Sequence, residues 1–219
     1  MNSVTAAPAV FLLPGKAKHA ILIYNQQQSK NTSLPENGAG KDPMERQYTR
    51  LDSVRAVLDE IINGIADPEQ RRGAYVHLYG TGLLAATLAL KRGFDRETAE
   101  LAEISGMLHD LLCYTDPKED TDGHAEKCAG YAEANVFPRL SCFTEEEKQQ
   151  VLGAVRRHSD KHRTGSPFDE LLKDADCAHH ALRNPMEDLF FDIPRVRRVV
   201  DELCGTEADD GNLPEDMWL

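Results

Sequence analysis

Apolar residues recur at helical spacing along most of the chain. Leu51, Val54, Leu58, Ile61 and Ile62 mark a first helix, and Leu83, Leu84, Ala86, Leu88 and Leu90 mark a second, because positions three and four apart share one helix face. Over 97–114 the apolar set (Leu101, Ile104, Met107, Leu108, Leu111, Leu112) covers most of the circumference. A helix of that kind belongs in the middle of a bundle. Further helices are predicted at 121–137, 144–163, 167–183 and 193–204. Start signals fit this division. Asp42-Pro43 and Asp67-Pro68 place an N-cap acid before a proline at the first helical position, Ser166-Pro167 repeats the arrangement, and Thr144 with Glu147 has the form of a capping box. No β-type alternation occurs in this region, so the predicted fold class is all-α, a bundle of six or seven helices.

Residues 1–43 depart from the pattern. Two short apolar patches, 10–13 and 20–24, precede Gln26-Gln27-Gln28 and a stretch rich in Ser, Asn, Gly and Pro that ends near Lys41. The patches suit either the strands of a small hairpin or pieces docked on the main body, and the polar stretch reads as a linker. After Cys204 the chain turns acidic and contains glycine, the composition of a fraying tail. The expected organisation is an extension over 1–43, a helical domain over 44–204 and an acidic tail over 205–219.

Composition narrows the possible partners. A chain of 219 residues is long enough to bury one full core. Its 37 acidic against 25 basic residues give a formal net charge of −12, which opposes binding to polymeric nucleic acid. A small anionic ligand remains compatible with that charge, because a divalent cation reverses the field locally. No basic segment precedes the apolar run at 9–13, and no run of 18 apolar residues suggests a membrane span. Cys113, Cys128, Cys142, Cys177 and Cys204 include no CxxC pair and are odd in number, as expected of reduced thiols outside a disulfide framework. The expectation is a cytoplasmic protein, monomer or homodimer, that meets neither membrane nor nucleic acid.

The candidate chemistry centres on His109-Asp110, an imidazole and a carboxylate side by side in an apolar segment. Burying such groups without compensation costs on the order of 2 to 7 kcal/mol, and a metal ion is the natural compensation. Around the doublet lie His77, His124, His158 and Asp176, each on or at the start of a predicted helix. Facing helices build sites in bundle cores in this way. Histidine and carboxylate without cysteine favour Fe, Mn, Co, Ni or Zn. Asp174 competes with Asp176 for the last place, since two residues apart they cannot share a helix face. Gly80-Thr81-Gly82 lacks a preceding strand and a Gly-Lys-Ser/Thr ending, so it reads as close helix packing beside His77 and not as a phosphate loop.

The order His, His-Asp, Asp, with Ile104-Ser105-Gly106-Met107-Leu108 before the doublet and Leu171-Leu172-Lys173-Asp174-Ala175-Asp176 closing the set, resembles the HD superfamily of metal-dependent phosphohydrolases over about 70–181. His124 in Gly123-His124-Ala125-Glu126-Lys127, and His158 after Val151-Leu152-Gly153-Ala154-Val155, are similar to its binuclear branch. The resemblance implies an HD-type bundle with two divalent transition metal ions. Metal one takes His77, His109, Asp110 and Asp176, metal two takes Asp110, His124 and His158, and Asp110 bridges them. It favours Asp176 over Asp174, because the ligand follows a small residue, here Ala175. It also implies hydrolysis of a small phosphorylated molecule, a nucleotide or dinucleotide, with Asp110 in a catalytic role.

One departure stands out. Many members follow the doublet with Ile-Gly-Lys, where this chain has Leu111-Leu112-Cys113-Tyr114 and its nearest lysine is Lys118, the candidate for that lysine's catalytic place. Arg156, Arg157 and Lys161 flank His158 and are candidate phosphate-binding cations, against the plainer reading of a solvated helix face. Some relatives use the same ligands as mixed-valent di-iron oxygenases, and a non-catalytic ligand-sensing module is a third class. His19, His162, His179 and His180 read as ordinary core or surface histidines, the last two close enough to Asp176 to support the ligands.

Overall fold

The computed structural model describes residues 49–119, 122–183 and 193–205. The 1–43 extension, the Asp42-Pro43 start, His19 and the tail from 206 onward lie outside the described residues. Among those described there is no strand, and the architecture is all-α as the apolar periodicity predicts. In chain order the helices are α1 (Arg50–Asn63), α2 (Pro68–Lys91), α3 (Arg96–Leu108), α4 (Leu111–Thr115), α5 (His124–Asn135), α6 (Glu145–Arg157), α7 (Pro167–Arg183) and α8 (Pro194–Cys204).

The capping signals act as read. Asp67 accepts from the backbone N–H groups of Glu69 and Gln70 at 2.9 Å. Thr144 and Glu147 exchange bonds at the start of α6, and Ser166 and Asp169 do the same at the start of α7. Helix α1 is started by Thr49 with Asp52 in a capping box, where an aspartate holds the place more often given to glutamate.

Two helices end earlier than their apolar pattern suggests. Helix α3 stops at Leu108, Asp110 leaves the helical region (φ −120°, ψ 18°), and Leu111 and Leu112 belong to the separate short helix α4. Helix α6 stops at Arg157 instead of running to 163. A histidine closes each of these ends, as the site geometry shows.

Helix α3 packs against α1, α2, α6 and α7, the central place expected of a helix apolar all round. Its Leu101, Ile104, Met107 and Leu108 share one core with Leu58, Leu78, Leu88, Leu152 and Leu171. Helix α2 is long and apolar enough to cross a membrane, but half of its apolar window is buried inside the bundle. It is a core helix, with a π turn at Tyr75–Tyr79.

Helices α2 and α3 touch backbone to backbone. A methyl group on Gly106 would lie 2.5 Å from Gly82 Cα and 2.6 Å from Gly82 N, and one on Gly82 would lie 2.7 Å from the Glu103 carbonyl oxygen. Neither helix can yield without carrying its side chains out of the core. Gly106→Ala should therefore destabilise the protein by about 3 kcal/mol. Gly130→Ala, at an exposed position of α5 with nothing within 4 Å of the new methyl, should stabilise it by about 0.5 to 1 kcal/mol. Urea unfolding of the two variants beside the parent protein checks both.

Candidate metal centre

His109 and His158 occupy equivalent local positions. Each is the residue after the last of its helix, α3 or α6, and each turns its ring back so that Nδ1 lies 2.7 Å from the carbonyl oxygen three residues earlier, Gly106 or Val155. The final carbonyls of a helix lack the i+4 N–H partner that a further turn would supply. A carbonyl oxygen can only accept, so in both rings Nδ1 carries a proton, and the neutral ring presents a bare lone pair at Nε2. The ring N–H takes an acceptor that another helical turn would have used, and there α3 and α6 end.

Those lone pairs converge with others. His77, on the π turn of α2, brings Nε2 to 3.2 Å from His109 Nε2. Asp110 Oδ2 lies 3.5 Å from His77 Nε2 and 3.3 Å from His109 Nε2. Asp176 Oδ1 lies 3.5 and 3.4 Å from the same two atoms. A second cluster shares Asp110, whose Oδ1 is 3.5 Å from His124 Nε2 and 3.3 Å from His158 Nε2, with the two rings' Nε2 atoms 3.2 Å apart. Atoms held about 2.1 Å from a common ion at tetrahedral angles stand about 3.4 Å apart. Both clusters have that spacing.

The polar accounting points the same way. Asp110 Oδ1 and Asp176 Oδ1 are buried with no hydrogen-bond donor, a costly state that a cation relieves. Burial pushes the His77 ring down to about 4 and lowers His158 as well, which keeps both in the neutral, ligating form. Burial also works against an ionised Asp176, but the Lys161 ammonium outweighs it and holds the carboxyl well below the usual range. The acids act on His109 in return: against burial, Asp110 and Asp176 raise it well above its usual value, so a proton competes with a cation for its Nε2.

Residues 74–181 match the family model of the HD domain. The chain carries an HD domain. Its match has nearly the extent of the resemblance seen in the sequence. Among solved structures, the chain is similar to a predicted HD superfamily hydrolase from an uncultured Thermotogales bacterium, with 21% identity over 74% of this chain and 89% of that one, at a TM-score of 0.49. No curated protein matches the chain. An HD domain implies a divalent metal, and the two orphaned carboxylate oxygens and bare imidazole nitrogens suit one.

All six sequence-predicted ligands of the HD domain come together, and the choice between the two acids of α7 is visible. Asp176 faces the histidines, while Asp174 lies on the opposite side, bonded to Arg92 at 2.7 Å and paired with Arg195 and Arg198. The candidate cations fare differently. Lys118 is exposed on the turn Pro117–Glu119 and does not reach the site. Arg156 bonds Glu126 and Glu133 on the outer face of α5, and Arg157 forks onto Asp169 of α7, so these two serve helix packing. Lys161 alone of the three arrives, its Nζ 2.7 Å from Asp176 Oδ2.

A cavity of about 440 Å³ opens over the clusters, with Cys113, Tyr114, Ser159, Lys161, His180 and Arg183 in its wall. Arg183 was not singled out in the sequence. Its signal was there: Asp176, His180 and Arg183 fall at i, i+4 and i+7 and so share a helix face. Cys113 also reaches Cys128, sulfur to sulfur 3.7 Å.

Asp176→Asn should weaken metal binding by more than about 100-fold, above the cost of losing an outer partner, and leave the bundle folded. Asp174→Asn should keep the metal and lose about 2 to 3 kcal/mol of stability, because it unbalances a largely buried arginine cluster. Metal analysis by ICP-MS together with thermal melts of both variants checks the pair.

Proposed function

We propose that this chain is a metal-dependent phosphohydrolase with two divalent transition metal ions, acting on a small phosphorylated molecule of nucleotide or dinucleotide class. The observation that carries the reading is the split of Asp110, with Oδ2 toward His77 and His109 and Oδ1 toward His124 and His158. One carboxylate shared by two sets of imidazole lone pairs is the donor arrangement of a bridged pair of ions. His77, His109, Asp110 and Asp176 would hold one, and Asp110, His124 and His158 the other. When bound, such ions acidify water and stabilise charge on a phosphoryl oxygen.

The remaining groups suit an anionic substrate. Lys161 neutralises Asp176 from its Oδ2 side and lines the cavity, where its other N–H donors would serve a phosphate. Arg183, also in the wall, offers a planar fork that matches phosphate oxygens. His180 Nδ1 lies 3.4 Å from an Arg183 nitrogen that can only donate. Its Nε2 lies 3.3 Å from Asp176 Oδ1, on the carboxylate edge that faces the histidines. A volume of about 440 Å³ falls in the range of small-molecule sites. Retention of the whole ligand set weighs against a sensing module, in which the ligands carry no catalytic duty.

Anaerobically prepared protein should contain about two equivalents of transition metal and release phosphate from members of a nucleotide and sugar-phosphate panel. His124→Ala should lower the metal content by about half with the bundle intact. Absence of phosphate release, together with a mixed-valent iron signal by EPR, would move the assignment to the oxygenase class. Less than about 0.2 equivalents of any metal after addition of Mn, Fe and Co would remove both readings.

A further inference from the structure

His77 differs from His109 and His158 in where its second ring nitrogen can go. Those two follow helix ends and give Nδ1–H to a carbonyl of their own helix. His77 sits inside α2 on the π turn Tyr75–Tyr79, where the neighbouring carbonyls are engaged in the helix ladder. Its Nδ1 instead lies 3.1 Å from Nδ1 of His179, on α7.

The geometry decides which ring donates. Nε2 of His77 faces His109, Asp110 and Asp176, so the ligating lone pair is on Nε2 and the proton on Nδ1. Two Nδ1 atoms at hydrogen-bond distance need one donor and one acceptor. His179 therefore presents a bare Nδ1 and carries its own proton on Nε2.

Gly80 supplies a second, independent observation. A methyl group there would lie 2.6 Å from His179 Cδ2 and 3.0 Å from Cε1, inside the volume of the imidazole. Glycine within a helix costs about 1 kcal/mol relative to alanine. The space it leaves in α2 is filled by the His179 ring.

We propose that His179 is a positioning residue, which accepts the Nδ1 proton of His77 and fixes that ring as an Nε2 ligand, with Gly80 shaped to seat it. The proposal rests on the reading of the site as a metal centre. It acts on one cluster only, because His124 and His158 do not touch His179.

The test is Co²⁺ binding to the full chain, followed by d–d absorption and by competition with a chromophoric chelator. His179→Ala should weaken one Co²⁺ equivalent by about 10- to 100-fold and leave the second unchanged. His179→Asn, whose amide oxygen can replace the Nδ1 acceptor, should bind nearly as the parent does, whereas His179→Leu, of similar bulk but with no acceptor, should behave as the alanine variant. Gly80→Ala should weaken the same equivalent, and adding it to His179→Ala should weaken binding no further.

Parent-like binding by His179→Ala, or equal binding by the Asn and Leu variants, overturns the proposal. If His179→Leu fails to fold, shown by the melt of the metal-free protein, Gly80→Ala decides, and unchanged Co²⁺ affinity there overturns it. A parent protein that binds no Co²⁺ overturns the metal reading itself and this proposal with it, a result distinct from the other two.

Discussion

The contact between Gly82 and Gly106 is the constraint on which the site depends. It sets α2 directly on α3, without side chains between them, and both helices carry ligands close to the crossing. His77 lies five residues before Gly82, and His109 lies three residues after Gly106. The 3.2 Å approach of their Nε2 atoms requires this short separation of the two helices. Gly106 has a second duty, since its carbonyl oxygen accepts the Nδ1 proton of His109. One residue thus governs both the distance between two helices and the aim of a ligand.

Around that crossing the structure gathers acceptors that repel one another unless a cation lies among them. Imidazole nitrogens and carboxylate oxygens face each other at 3.3 to 3.5 Å, beneath the cavity. Lys161 moderates this from one side, and the rest of the compensation has to come from what the cavity binds. Helix α7 separates two kinds of charge at positions two apart, with Asp176 turned to the histidines and Asp174 to Arg92, Arg195 and Arg198. The alternation gives the two acids opposite side-chain directions, and the one that faces the histidines is the one the resemblance favours.

Much of this was legible in the sequence because it is locally encoded. Asp67-Pro68, Thr144 with Glu147 and Ser166-Pro167 marked true helix starts, since a cap bonds to the backbone of its own first turn. The convergence of the six candidate ligands was legible because their order and apolar surroundings are distinctive. The ends of α3 and α6 were not, because the agent is a histidine ring folding back on a carbonyl, while Leu111 and Leu112 continue the apolar period across the break. Lys118, Arg156 and Arg157 were candidates by closeness in sequence, and the last two point to acids on neighbouring helices that no spacing rule names. Arg183 was missed for the converse reason, as a cation two helical turns from its ligand that lacked a motif to draw notice.

The two ways of orienting a ligand have different reach. For His109 and His158, the aim of the ring is a property of four consecutive residues, 106–109 and 155–158, and travels with them wherever the helix goes. For His77 it is borrowed from another part of the chain, about a hundred residues later. The direction of that ring therefore registers whether α7 has docked on α2. A centre built this way has two histidines whose aim is settled locally, and a third whose aim depends on the last long helix of the site being in place.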